Sequence, residues 1–141
     1  MKSVGKLAVR TVVLALLSAM PLTAQIMNGM SFKTSFPFYA GNAKLPAGTY
    51  TVTQSDIDTN TLLIQSADAK YSAYVDCIPT QSESSHAKTD ATFNKYGSTD
   101  YLARIWIESQ QSGLQVVQTK AEKKAAASGA PQQHSVPGTK R

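Results

Sequence analysis

The sequence predicts an all-β protein: a single antiparallel β-sandwich or small barrel of about seven strands, with a short helical turn and a disordered tail at the C-terminus. Three observations carry this expectation. Apolar and aromatic residues alternate with polar ones along most of the chain, the signature of half-buried strands. The connections are short and rich in Gly, Asn, Asp and Pro, as antiparallel hairpins require, whereas parallel strands need crossovers of about a dozen residues or more. No amphipathic helical pattern occurs between Phe32 and Thr119.

The elements follow in order. In "FKTSFPFYA", Phe32, Thr34, Phe36, Phe38 and Ala40 share one face, and Lys33, Ser35, Pro37 and Tyr39 the other. "LPAGTYTV" places Pro46, with φ fixed near −65°, and Gly48 where a four-residue turn wants them, and then turns Tyr50 and Val52 inward. "TLLIQS" from Thr61 and "YSAYVDCI" from Tyr71 continue the alternation, with Tyr71, Ala73, Val75 and Cys77 on one side. "ATFNKY" from Ala91 and "YLARIWIES" from Tyr101 come next. The latter sets Tyr101, Ala103, Ile105 and Ile107 against Leu102, Arg104, Trp106 and Glu108. "LQVVQT" from Leu114 completes the set. The one long connection, Pro79 to Asp90, is almost wholly polar.

The two ends differ in kind from this middle. Lys2, Lys6 and Arg10 precede an uncharged run from Thr11 to Ala24, the form of a secretory signal peptide. The run has 14 residues and contains Pro21, short of the roughly 20 that a membrane span needs. Three regions are therefore expected: a signal peptide at 1–24, a β-domain at 25–119, and a charged short helix with a disordered tail at 120–141. "KAEKKAAAS" has helix-forming composition, while "GAPQQHSVPGTKR" is too polar to order itself. Export to the periplasm or beyond the cell follows, with no transmembrane span left once the signal is removed.

Charge narrows the partners. Without Lys2, Lys6 and Arg10, the 14 bases fall to 11 against nine acids, and five of those bases lie beyond Thr119. The β-domain itself is slightly acidic, so it lacks the clustered basic face of a nucleic-acid binder. Its partners are expected to be envelope proteins or polymers, with the terminal lysines available to an anionic surface. With one cysteine, Cys77, no intrachain disulfide can form, and burial alone must hold the fold.

Chemistry-bearing residues are present but unconvincing as sites. Asp56, Asp58 and Asn60 open like a calcium loop, yet Thr61 and Ala67 stand where that loop needs Gly and Glu. Cys77 shares parity with Ala73 and Val75, so it reads as a buried structural thiol and not as a nucleophile served by His86. Two separated histidines and one cysteine form no metal set, and no Gly-x-Ser-x-Gly occurs. Phe36, Phe38, Tyr39, Tyr74, Tyr96, Tyr101 and Trp106 are candidates for a sugar platform, with Phe36 and Phe38 assigned to the core. No catalytic, cofactor-binding or metal-ligating residue is selected, and no cofactor is expected.

The runs "SFKTSFPFYAGNAKLPAGTYTV" and "FNKYGSTDYLARIWI" together resemble a family of small exported bacterial β-proteins. That family pairs an aromatic, Pro-containing first strand with a Gly-x-x-x-Leu-Pro-Ala-Gly-x-Tyr turn and a later Tyr-Gly step before an Ile-Trp strand. The resemblance implies a fold and an exported location, but no assigned activity and no catalytic residue. The expected function is a non-catalytic envelope or extracellular binding or structural module. The alternatives are a carrier holding a sugar or lipid inside a barrel and an unrecognised hydrolase. Intact mass spectrometry of protein recovered from its host should show a chain beginning at Gln25; retention of residues 1–24 would contradict the signal peptide.

Overall fold

The computed structural model describes residues 29–55 and 57–141; the signal-peptide segment and Asp56 lie outside them. The described residues form ten strands and one helix: β1 (Met30–Thr34), β2 (Phe38–Ala40), β3 (Ala43–Leu45), β4 (Gly48–Gln54), β5 (Thr61–Ser66), β6 (Ser72–Gln81), β7 (Asp90–Tyr96), β8 (Thr99–Trp106), β9 (Ser112–Val116), α1 (Lys120–Ala127) and β10 (Gln132–Lys140). Eight strands close on themselves in the order β1-β4-β5-β6-β9-β8-β7-β10 and back to β1. The protein is therefore a barrel, all neighbours around it antiparallel. The β2–β3 hairpin stands outside the ring, joined to β8 by one parallel pairing, Tyr39 with Tyr101.

Alternation works as expected on most strands. Phe32, Phe38, Tyr50, Val52, Leu62, Ile64, Ala73, Val75 and Cys77 are all buried in one core. One end of the barrel is packed with rings: Phe38 lies 5.2 Å from Tyr50 and 5.3 Å from Phe93, and Phe32 about 6 Å from each of those two. Such edge and tilted pairings suit the ring quadrupoles. The first predicted strand is broken by a bend at Ser35–Phe36, which lets Phe36 fold over Phe93 at 5.1 Å. In the Leu-Pro-Ala-Gly turn, the Gly48 amide donates to Thr34 Oγ1 at 3.4 Å, and the Tyr50 hydroxyl reaches back to the Pro46 carbonyl. The turn thus ties the hairpin to β1 as well as starting β4.

Strand β8 departs from the predicted parity. Its register with β7 shifts between Thr92 and Phe93: Thr92 opposes Arg104 while Phe93 opposes Leu102, leaving Ala103 as an extra residue. A bulge of this kind reverses the facing of everything beyond it. Leu102 and Ile105, on opposite faces by simple alternation, therefore both enter the core, and Tyr101 lies outside it. Tyr39 stacks on Tyr101 at 5.3 Å and Tyr96 meets it edge-on at 5.9 Å.

The C-terminal tail corrects the prediction most. Residues 132–140 are not disordered; they form β10, inserted between β1 and β7. Met30 opposes Lys140, Phe93 opposes His134 and Ala91 opposes Val136. The tail is a strand because a slot with two unpaired edges awaits it, and tertiary pairing overrides weak local preference. Helix α1 reaches this slot along the outside of β7. Thr119 caps it, accepting from the Glu122 amide at 3.2 Å. In a capping box the Glu side chain would return to the cap. Here the buried Glu122 carboxylate instead accepts from Asn94, Tyr96 and Gln118 at 3.3–3.4 Å and docks the helix on the barrel wall. Tyr96 is held above the ordinary phenol range by burial and by this carboxylate.

Close packing of the seam is measured by Gly138. A Cβ there would fall 2.6 Å from Met30 Cε and 2.9 Å from the Ser31 carbonyl oxygen. Gly138→Val should therefore destabilise the barrel by about 1–3 kcal/mol, read as a lower urea midpoint; an unchanged midpoint would show that β10 is not tightly seated.

Candidate functional site

The aromatic packing fills one end of the barrel, and the other end is open. There the β4–β5 connection, the end of β6 and the β8–β9 turn surround a cavity of about 310 Å³. Ile105 and Ile107 from β8 and its extension, Leu114 from β9 and Pro79 from β6 supply an apolar wall. The bulge at Ala103 puts Ile105 and Ile107 on this inner side, so the irregularity in β8 shapes the cavity. Polar groups mark the rim: Asn60, Gln110 and Ser112, with Gln54 at the top of β4. Gln54 Nε2 donates to the Thr59 carbonyl, and its Oε1 is buried with no hydrogen-bond partner. An unpartnered buried acceptor is costly, of the order of 1–3 kcal/mol, and such groups concentrate at sites of function.

Size and lining set what this mouth can hold. Ligand pockets start near 300 Å³ and are mainly apolar with a few polar groups for orientation. Among the described residues, none of those lining the mouth is ionisable. The arrangement offers an apolar wall and a polar rim to a small amphiphile.

Cys77 lies deeper on the same inner wall. It is 2% exposed, and its Sγ lies 3.9 Å from the Thr59 carbonyl oxygen. Burial pushes its thiol above the ordinary value, and Asp58 and Asp76 add to the effect. His86 is on the other side of the wall, stacked on Trp106 with ring centroids 4.0 Å apart. The two residues are not brought together, in keeping with the reading of Cys77 as structural. His86 is placed by the long β6–β7 connection, which folds back on the β8–β9 turn through backbone bonds between His86 and both Ser109 and Gln110.

The calcium-like run is a self-satisfied turn. Asp58 Oδ1 accepts from the Asn60 amide at 2.9 Å and Oδ2 from Thr61 Oγ1 at 3.2 Å; Asp56 lies outside the described residues. Among the described residues no cluster of three His, Cys, Asp or Glu side chains is placed to hold a metal. The aromatic candidates divide. Phe38 is core, Phe36 is half-buried over the packed end, Tyr39 and Tyr96 cover Tyr101, and Trp106 lies under His86. Tyr74 alone stands free, 71% exposed on β6.

A second pair of groups was not anticipated. His134 Nε2 and Asp100 Oδ1 meet at 2.6 Å near the packed end, with Phe36 and Phe93 against the imidazole. Bend, bulge and tail strand together assemble this contact, so spacing along the chain carried no signal for it.

Among the described residues no helix is long and apolar enough to cross a membrane. Comparison with family models, curated proteins and solved structures finds no match to this chain.

The raised Cys77 thiol leads to two expectations. In the native state a thiol reagent at pH 8 should modify it far more slowly than in urea; equal rates would refute its burial. Because the folded state favours the neutral thiol, its contribution to stability is complete below the ordinary value of 9.0 and is lost as pH climbs through the raised one.

Proposed function

We propose that this chain is an exported, non-catalytic binding module whose barrel mouth takes a small amphiphilic ligand. The observation that carries this reading is the half-filled barrel: rings pack one end, while the other keeps an apolar cavity of about 310 Å³ beneath a polar rim. A purely structural module has no need of that space, since packing it with side chains would add stability. The ligand fits a short acyl chain or a single ring carrying a hydroxyl or amide. Its apolar part would lie against Ile105, Ile107 and Leu114, and its polar end at Asn60, Gln110 and Ser112. The uncharged lining supports binding over hydrolysis. Export agrees with the basic, then apolar, N-terminal sequence and with the resemblance to small exported bacterial β-proteins.

Native mass spectrometry of the protein from its own host should reveal a bound molecule of a few hundred daltons at most. Leu114→Trp, which fills the cavity from its wall, should keep the barrel's circular dichroism and lose at least about tenfold in affinity for that molecule. A ligand retained undiminished by Leu114→Trp would place the site elsewhere, and a protein that never carries one would favour the structural-module reading.

A further inference from the structure

On the opposite side of the wall from the mouth cavity, the outer faces of β6, β7, β8 and β10 enclose a polar groove of about 410 Å³. Strand register explains its composition. Arg104, Thr92 and Ser135 form one cross-strand row over β8, β7 and β10, and in the neighbouring row Thr80 opposes Gly113, which opposes Trp106. The groove's own lining in these rows is polar or small except the indole. Its benzo ring lies against Gly113, where a Cβ would be only 2.6 Å from Trp106 Cε3, and His86 covers it from outside. Three features distinguish the groove from ordinary polar surface.

The first is charge. Arg104 and His134 are the basic side chains lining it; His134 is paired with Asp100 at 2.6 Å, and among the described residues Arg104 takes part in no ion pair. Along β7 the adjoining carboxyl is Asp90, two residues before Thr92. It accepts from Thr92 Oγ1 at 3.5 Å and makes no ion pair with Arg104. The second is hydrogen-bonding capacity. Thr92 Oγ1 and Ser135 Oγ lie 3.3 Å apart, and carboxamides at Gln81 and Gln133 stand on either side. Hydroxyl and carboxamide groups both donate and accept, which matches a ligand with many hydroxyls. The third is rigidity: the lining comes from paired strands, so little ordering accompanies binding.

We propose that this groove is a second binding site, for an acidic saccharide. A planar carboxylate is held by the Arg104 guanidinium fork, which matches it in geometry and charge. The neighbouring sugar hydroxyls bond to Thr92, Ser135, Gln81 and Gln133. A duplex or single-stranded nucleic acid is a poorer fit, because one arginine gives none of the multiple phosphate contacts that such binding needs.

Trp106 is the only tryptophan in the chain, so its fluorescence reports this groove. The full mature chain is titrated with a tetrasaccharide of hexuronic acid, with a neutral hexose tetrasaccharide of equal length, and with inorganic phosphate. The hexuronate should give a saturable change. The neutral sugar should bind at least about tenfold more weakly, and Arg104→Gln should lose a similar factor for the hexuronate, the size expected for a lost charge-assisted contact. Should Arg104→Gln fail to fold by circular dichroism, the exposed Gln133→Ala serves instead and should weaken binding by several fold. No saturable change with the hexuronate, equal affinity for the neutral sugar, or an unaffected variant overturns the proposal. Phosphate binding as tightly as the hexuronate would reduce the groove to a generic anion contact and overturn it too. Leu114→Trp in the mouth introduces a second indole, so it is left out of this titration, and the two sites are judged separately.

Discussion

Everything in this molecule depends on the pairing of β10 with β1 on one side and β7 on the other. Without it the remaining strands make an open sheet whose two long edges have unsatisfied amide and carbonyl groups, the state most prone to pair with other chains. With it the ring closes and the core is covered all round. The closing strand buries little of its own: Val136 and Gly138 are half-buried and most of its other residues are exposed. Its contribution is the double ladder of backbone hydrogen bonds and the exclusion of water from Met30, Ala91 and Phe93 beneath it. The buried Glu122 carboxylate, by fixing α1 to the wall, delivers the strand to its slot.

Closure also creates both candidate sites. The bulge at Ala103 turns Ile105 and Ile107 into the mouth and Arg104 and Trp106 onto the outer wall. One extra residue on one strand thus sorts the apolar side chains to the cavity and the polar ones to the groove. The groove further needs β10, which supplies Gln133 and Ser135. Binding and folding are linked in consequence: a ligand held across β8 and β10 stabilises the closed barrel in proportion to its occupancy.

Much of the fold was legible in the sequence because period-two alternation reports directly on a pleated, half-buried surface. Phe32, Tyr50, Val52, Leu62, Ile64, Ala73, Val75 and Cys77 all face the core as that pattern demands. Failures occurred where distant partners decide. The segment "QQHSVPGTK" has no strand pattern of its own, since its inward positions are His134, Val136 and Gly138; only the slot between β1 and β7 makes it a strand. The bulge is a matter of register with β7 and leaves no mark in "YLARIWI". The cavity was invisible for a related reason, because its lining comes from five separate segments. The aromatic residues were recognised as important, but most of them proved to be packing, and only Trp106 lines a candidate site.

The seam joins the beginning of the described chain to its end: the Arg141 amide donates to the Gly29 carbonyl, and β1 lies beside β10. Until β10 is in place, one edge of β1 and one edge of β7 are unpaired. Residues 132–140 therefore act as the latch of the ring. The ring stays open for as long as residues 132–140 are held away from that slot, so one nine-residue segment decides between a closed barrel and an open sheet.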